Sequence, residues 1–212
     1  MLFLNSPEKF WNLIARKYAA SPIADIEAYR KKIDKIESYL SSEDYVLDVG
    51  CGTGTQCSDI SNSVKHVTGI DISNKLLAIA ETRKVRRKIE NVDFVQTTVF
   101  DDRFIPASFN VVMAFYVLHL CEDIDEVIRR IYDLLKPGGL FILETVCLGE
   151  KNTITGKLIR SAGKLGFLPL INLLSTQQIE LALENAGFSM VEKTKFSESN
   201  DEYTLVTKKT KK

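Results

Sequence analysis

The chain has 212 residues, 45% of them hydrophobic and 26% charged, a composition that suits one globular domain with some decoration and excludes wholesale disorder. Lys plus Arg is 28 and Asp plus Glu is 28, so the formal net charge is zero, which argues against a protein built mainly to neutralise nucleic-acid phosphates. A chain of this size buries enough surface to fold without a disulfide or metal staple. The four cysteines, Cys51, Cys57, Cys121 and Cys147, form no C-x-x-C pair, and the two histidines, His66 and His119, are too few for a metal cage. Scattered single cysteines fit a reducing compartment. The first residues lack the basic start and apolar run of a signal peptide, and no apolar stretch approaches the ~20 residues of a membrane span. A cytoplasmic location is expected.

Residues 7–40 read as helical, with Phe10, Leu13, Ile14 and Tyr18 along one face, a break at Pro22, and Ile33, Ile36 and Leu40 on a second stripe. This makes residues 1–40 an N-terminal helical cap. From residue 41 the rhythm changes to short apolar runs alternating with amphipathic stretches. Strands are predicted at Tyr45–Val49, Val67–Ile70, Val92–Gln96, Asn110–Ala114 and Leu140–Glu144. Helices are predicted at Gln56–Asn62, Ser73–Lys88, Asp123–Leu135 and Thr176–Ala186, and Pro137-Gly138-Gly139 turns one of them into the next strand. Such alternation means a doubly wound α/β fold with a parallel sheet covered on both faces. Met190–Lys195 and Tyr203–Thr207 are joined by a polar loop and predict an antiparallel hairpin at one sheet edge. The domain then spans 41–207, with an insert at 146–175 and a basic tail at 208–212.

The richest stretch is Val46-Leu47-Asp48-Val49-Gly50-Cys51-Gly52-Thr53-Gly54. A strand runs straight into three glycines at alternate positions, where a ligand can approach the backbone without meeting a Cβ, and then into a helix start. Asp71 closes the next strand, 21 residues after Gly50, where a carboxylate can accept hydrogen bonds from ribose hydroxyls. The Gly-Lys-Ser/Thr ending of a Walker loop is missing. The third glycine of the dinucleotide fingerprint would fall at position 55, which is Thr55, and this weakens a nicotinamide oxidoreductase reading.

On these residues, together with Gly69-Ile70-Asp71-Ile72-Ser73, Ser108-Phe109-Asn110-Val111-Val112 and Leu134-Leu135-Lys136-Pro137-Gly138-Gly139-Leu140, the sequence resembles the class I S-adenosylmethionine-dependent methyltransferases. The likeness covers about residues 40–145. It implies a seven-stranded, mostly parallel sheet of order 3-2-1-4-5-7-6 with strand 7 antiparallel, and S-adenosyl-L-methionine as cofactor, with S-adenosyl-L-homocysteine as product. It also implies that Asp48 braces the loop and that Gly50, Cys51 and Gly52 lie against the methionyl part. Asp71 would hold the ribose, Ile72 the adenine face, and Thr98, Val99 and Phe100 the other side of the base, with Phe115 at the end of the fourth strand. Many relatives carry an Asp where Thr98 stands, so Thr98 or Asp101 would take over that contact. Tyr18 resembles the residue that closes over the cofactor carboxylate in small-molecule methyltransferases.

His119, Tyr116 and Tyr18 are the catalytic candidates by position, with Glu144 as a further base, and no metal is expected. The cysteines read as small buried hydrophobes. The cluster Arg83, Lys84, Arg86, Arg87 and Lys88 reads as cations set against a helix C-terminus on a solvated face. The apolar stretch from Gly166 to Leu174 fits a pocket lining, a lid or a homodimer seam. The fourth strand is followed by neither an Asn-Pro-Pro-Tyr nor a Pro-Cys motif, which leaves a small-molecule methyl acceptor as the first expectation, with no nucleic acid and no membrane as partner. A catalytically silent cofactor-binding scaffold and a protein or RNA methyltransferase are the alternatives.

Overall fold

A computed structural model describes residues 6–146, 172, 174–197 and 202–210. Two helices, α1 (Pro7–Ala20) and α2 (Ile26–Glu37), precede β1 (Tyr45–Val49), α3 (Thr55–Ile60), β2 (His66–Asp71), α4 (Asn74–Arg87), β3 (Val92–Gln96) and β4 (Phe109–Phe115). Then come α5 (Ile124–Leu134), β5 (Leu135–Val146), α6 (Thr176–Asn185), β6 (Phe188–Thr194) and β7 (Glu202–Lys209). The seven strands form one sheet of order β3-β2-β1-β4-β5-β7-β6. β1 to β5 pair in parallel, and β7 runs antiparallel to both β5 and β6. This is the doubly wound α/β architecture with a helical cap that the residue pattern predicts.

The central strands are apolar on both sides because helices cover both faces. Successive residues alternate between two cores. Leu47, Val112, Phe141 and Leu205 pack with α5 and α6 residues such as Ile128, Ile131 and Leu183. Their neighbours Val46, Val111, Ile142 and Val206 pack on the other face with Ile33, Ile36, Ile60 and Leu77. Helix starts are set by short polar caps. The Asp25, Ser73 and Asp123 side chains accept from Ala28 N, Leu76 N and Glu126 N, and Ser175 forms a reciprocal capping box with Gln178.

Three expectations shift. The α1 stripe of Phe10, Leu13, Ile14 and Tyr18 is only partly covered: Phe10 and Ile14 are half-buried, Leu13 is 69% exposed, and Ala15 is the buried residue of the helix. Polar contacts also fasten the helix to the start of α4, Asn12 Oδ1 accepting from Ser73 Oγ at 2.7 Å and Lys75 N at 3.2 Å. The segment Pro137-Gly138-Gly139 lies inside β5, because Leu135 already pairs with Phe109 and the register slips between Phe109 and Val111. The basic tail begins later than residue 208. β7 runs to Lys209, whose Nζ donates to Tyr132 O at 2.6 Å and Leu135 O at 2.8 Å and so caps the end of α5. Among the described residues no helix is long and apolar enough to cross a membrane. Cys147 and nearly all of the insert, including the stretch from Gly166, lie outside the described residues.

Candidate active site

The site lies at the C-terminal ends of β1, β2, β4 and β5, on the side where the parallel strands open into loops. After β1 the backbone is held against β2, with Gly50 N and Cys51 N both donating to Ile70 O, at 2.8 and 3.0 Å. Asp71 then fastens the next residues from the opposite side. Its Oδ2 accepts from Gly52 N at 3.0 Å and its Oδ1 from Ser73 N at 2.8 Å. Burial raises the Asp71 carboxyl above its ordinary value, and the backbone donors Ser73, Gly52 and Ile72 oppose that rise. Glycine is required at Gly54, where φ is +65° and a Cβ would stand 2.5 Å from the Phe94 ring and 2.9 Å from Ala80. Gly52, also at positive φ, has room for a Cβ, whose nearest neighbour would be the Tyr18 ring at 3.8 Å, an ordinary contact.

Two adjoining cavities meet at this loop. The first, about 410 Å³, is lined by Asp71 and Ile72 from the end of β2, by Thr98, Val99 and Phe100 after β3, and by Trp11 and Tyr18 of α1. The second, about 500 Å³, is lined by Asp48, Cys51, Tyr29, Lys32, Arg83, Glu144 and Glu202. Tyr18, Gly50, Gly52, Phe115 and Tyr116 line both. Every cofactor-binding residue expected from the sequence therefore lines at least one of these cavities.

His119 does not. It sits buried in the single turn Leu118–Leu120, and its neighbours Val117, Leu120 and Cys121 line the first cavity in its place. Burial lowers the imidazole pKa. Leu118 and His119, the two residues between Val117 and Leu120, line neither cavity, so the position expected for His119 at the site is not where the structure puts its side chain. Asp101 is also turned aside: it accepts from Thr97 Oγ1 at 2.6 Å and pairs with Arg103 at 2.5 Å, leaving Thr98 as the residue at the cavity wall.

Tyr116 is held in a left-handed conformation, φ 57°, with its N–H donating to Glu144 O at 2.7 Å and its hydroxyl donating to Glu202 Oε2 at 2.9 Å. Burial, reinforced by the Glu144 and Glu202 charges, pushes the phenol well above its ordinary value. Tyr116 is thus a hydrogen-bond donor and a poor base. Tyr18 is likewise raised, by burial and then by Asp71.

Asp48 is buried beneath the loop, and Cys57 Sγ donates to its Oδ2 at 3.0 Å. Burial pushes this carboxyl up to about 7, against the Cys57 bond that lowers it and with Asp71 adding to the rise. The folded state therefore holds a proton that the unfolded chain releases near pH 4. This group favours folding most at acid pH, and its contribution is lost as pH climbs from about 4 through 7. Asp48→Asn is expected to flatten the fall in melting temperature between pH 5 and 7.5, measured by thermal denaturation at each pH. An unchanged slope would show that Asp48 is ionised throughout.

Sequence reasoning missed Lys32, Arg83 and Glu202. Lys32 lies on the Ala28, Lys32, Ile36 stripe of α2, so a lysine at a buried helical position was the available signal. Arg83 follows Ala80 by three residues on the inward stripe of α4, and its Nη1 donates to Thr53 O at 2.7 Å, Thr53 Oγ1 at 3.1 Å and Thr55 Oγ1. It braces the glycine loop and does not belong to a solvated face. Arg87 in the same cluster pairs with Asp59 at 2.6 Å. Glu202 carried no local signal. Among the described residues no group of three or more His, Cys, Asp or Glu could hold a metal.

Comparison with known proteins places this geometry. A family model described as a methyltransferase domain matches residues 21–193. The demethylmenaquinone methyltransferase of Lactococcus lactis subsp. lactis is 36% identical over 125 residues, 58% of this chain and 48% of that protein. The ubiquinone biosynthesis O-methyltransferase of Saccharophagus degradans is 32% identical over 146 residues, 65% of this chain and 60% of that one. The chain spans about half the length of the curated relatives it matches. Among solved structures, the [4+2]-cyclase SpnF shares the fold with a TM-score of 0.80 at 19% identity, covering 100% of this chain and 98% of its own. A Haemonchus contortus N-methyltransferase, solved with phosphomonomethylethanolamine and S-adenosylhomocysteine, shares it with a TM-score of 0.70 at 20% identity, covering 86% of this chain and 52% of that one. With the family model spanning most of its length, the chain belongs to the methyltransferase-domain family.

Proposed function

We propose that the chain is an S-adenosylmethionine-dependent methyltransferase that acts on a small-molecule acceptor. The observation that carries this reading is the pair of adjoining cavities sharing Gly50, Gly52, Phe115 and Tyr116, one of them ending on the Asp71 carboxylate. Fold alone would not decide the reaction, because one architecture hosts many chemistries.

The residues present fit the cofactor. The first cavity offers apolar faces at Ile72, Val99 and Phe100 for a purine and, at the end of β2, the Asp71 carboxylate for a vicinal diol. Thr98 Oγ1 already accepts from Phe100 N at 3.3 Å, so its hydroxyl proton is left to donate to the base edge. The Gly52 backbone, with no Cβ in the way, lets a methionyl chain cross from the first cavity to the second. Tyr18, Phe115 and Tyr116 border that crossing and present aromatic rings to a cationic sulfur. When bound, the cofactor supplies a methyl group already activated by its positive sulfur, so the protein chiefly has to align an acceptor atom with it. The second cavity, with its buried polar floor, is where such an acceptor would sit.

Calorimetric titration with S-adenosylmethionine, S-adenosylhomocysteine and NAD tests the reading. Binding of both sulfur ligands and none of NAD is expected, followed by transfer of labelled methyl to a small acceptor. Failure of both sulfur ligands to bind would overturn it.

A further inference from the structure

The floor of the second cavity is a buried charged network with donors to spare. Lys32 and Glu144 form an ion pair, and each is only 5% exposed. Burying such a pair gives little or no net stability, because desolvation offsets the attraction. Its presence at the wall of a cavity therefore calls for another explanation. The Lys32 ammonium carries three N–H donors. Among the described residues its one hydrogen-bond acceptor is Glu144, and the rings of Tyr29, Phe115 and Tyr116 stand around it at 5.6, 5.4 and 5.3 Å. Two donors on a buried cation thus face a cavity walled by aromatic rings, and what completes them is a ligand oxygen.

The charges around Lys32 narrow that oxygen further. Lining the same cavity are Tyr29 of its own helix, Asp48 below the loop, Tyr116 after β4, Glu144 of β5 and Glu202 of β7, with the Thr204 hydroxyl of β7 donating to Glu144 at 3.4 Å. A carboxylate or phosphate ligand would bring a fixed negative charge against both Glu144 and Glu202, with no proton to hand to either. A protonated amine would meet the Lys32 ammonium and could accept none of its hydrogen bonds. A neutral hydroxyl satisfies both signs, since its oxygen accepts from Lys32 and its proton goes to a carboxylate. Glu202 is the carboxylate in position for that. Its Oε2 is oriented by the Tyr116 hydroxyl at 2.9 Å, and burial raises its affinity for a proton. An aryl hydroxyl, with an ordinary pKa near that of tyrosine at about 10, gives up its proton far more readily than an alkyl alcohol, and its ring suits the aromatic walls.

Resting on the methyltransferase reading, we propose that the second cavity takes an aryl hydroxyl as methyl acceptor, with Lys32 Nζ donating to the acceptor oxygen and Glu202 taking its proton. The acceptor O–H bond breaks and its proton passes to the Glu202 carboxylate. The oxygen lone pair forms the new bond to the methyl carbon while the carbon–sulfur bond breaks. That bonding pair stays on sulfur, leaving a neutral thioether, and Glu202 later releases its proton to solvent. Lys32 holds the oxygen while its charge is negative.

The test uses 4-nitrophenol, whose phenolate absorbs visibly, titrated against pH with the protein loaded with S-adenosylhomocysteine. Bound nitrophenol is expected to ionise with an acid constant about tenfold or more above its free value, through the adjacent ammonium. Because removing Lys32 alone leaves Glu144 buried without its cation, the variant to use is Lys32→Met/Glu144→Gln. It should keep its affinity for S-adenosylhomocysteine and lose the shift. Glu202→Gln should keep the shift, while methylation of phenol itself, whose hydroxyl at an ordinary pKa of about 10 stays protonated near neutral pH, falls about a hundredfold and loses its acid limb in the pH profile. Nitrophenol that binds with unchanged ionisation, or a shift that survives the double variant, would overturn the proposal. So would methylation of 4-nitroaniline in place of nitrophenol. Binding of S-adenosylhomocysteine without any binding of nitrophenol overturns this proposal alone, whereas failure of S-adenosylhomocysteine itself to bind overturns the methyltransferase reading beneath it.

Discussion

Replacing Asp71 with alanine is expected to weaken binding of S-adenosylhomocysteine by about a hundredfold. The carboxylate sits at the one point where the glycine loop, the start of α4 and the first cavity converge. It accepts from Gly52 N and Ser73 N and has lone pairs left for a diol, since an ionised carboxylate offers about four acceptor sites. Hydrogen bonds to a charged group contribute about 1.5–3 kcal/mol each. Losing the equivalent of two bonds, one to the loop and one to the ligand, gives about 3 kcal/mol, or roughly a hundredfold in affinity. Asp71→Asn keeps one oxygen acceptor, so it should fall between wild type and alanine. Calorimetry with S-adenosylhomocysteine measures both, alongside a melting curve to confirm that the variants are folded. An alanine variant that binds within threefold of wild type would mean that the ribose is held elsewhere.

The largest effect on stability is expected from Lys32→Met. Glu144 would be left almost wholly buried, with the Thr204 hydroxyl at 3.4 Å and no cation beside it. Breaking a buried pair on one side typically costs about 3–5 kcal/mol, since an uncompensated charge remains. Removing the second charge as well, in Lys32→Met/Glu144→Gln, should restore most of that loss, because the penalty belongs to the orphaned carboxylate and not to the missing attraction. Equilibrium urea denaturation gives both numbers from the shift in midpoint at constant slope. If the single variant loses less than about 1 kcal/mol, water reaches Glu144 and the pair is not the dry contact described above.

The fold was legible wherever a pattern is local. Val46 and Leu47 belong to opposite cores because neighbouring strand residues point to opposite faces, and runs that are apolar on both sides announced a covered parallel sheet. Ser73 and Asp123 marked helix starts through short side chains that reach a nearby N–H. The loop from Gly50 to Gly54 and the Asp71 that answers it were readable for the same reason, being two strand ends of one βαβ unit. The acceptor side was not readable in this way. Lys32 meets Glu144 across 112 residues and Tyr116 meets Glu202 across 86, so only the sheet order brings them together. His119 lines neither cavity, because position after β4 does not say which way a tight turn aims its side chain. Arg83 was hidden among the solvated cations of α4, although its spacing from Ala80 set it on the inward stripe.

The place of β7 in the sheet gives these two halves of the site separate histories during folding. Among the described residues β6 pairs only with β7, and β7 lies beside β5, so the last strand of the chain is the one that joins its predecessor to the sheet. Such a step closes a long loop before its contacts reward it, and it is expected to follow the local βαβ pairings. The first cavity draws its walls from residues 7 to 127 and is complete before that step. The second lacks Glu202 until β7 arrives, because that residue is the first of the strand. The molecule thus assembles its nucleoside-shaped chamber early and closes the chamber for the acceptor with its final strand.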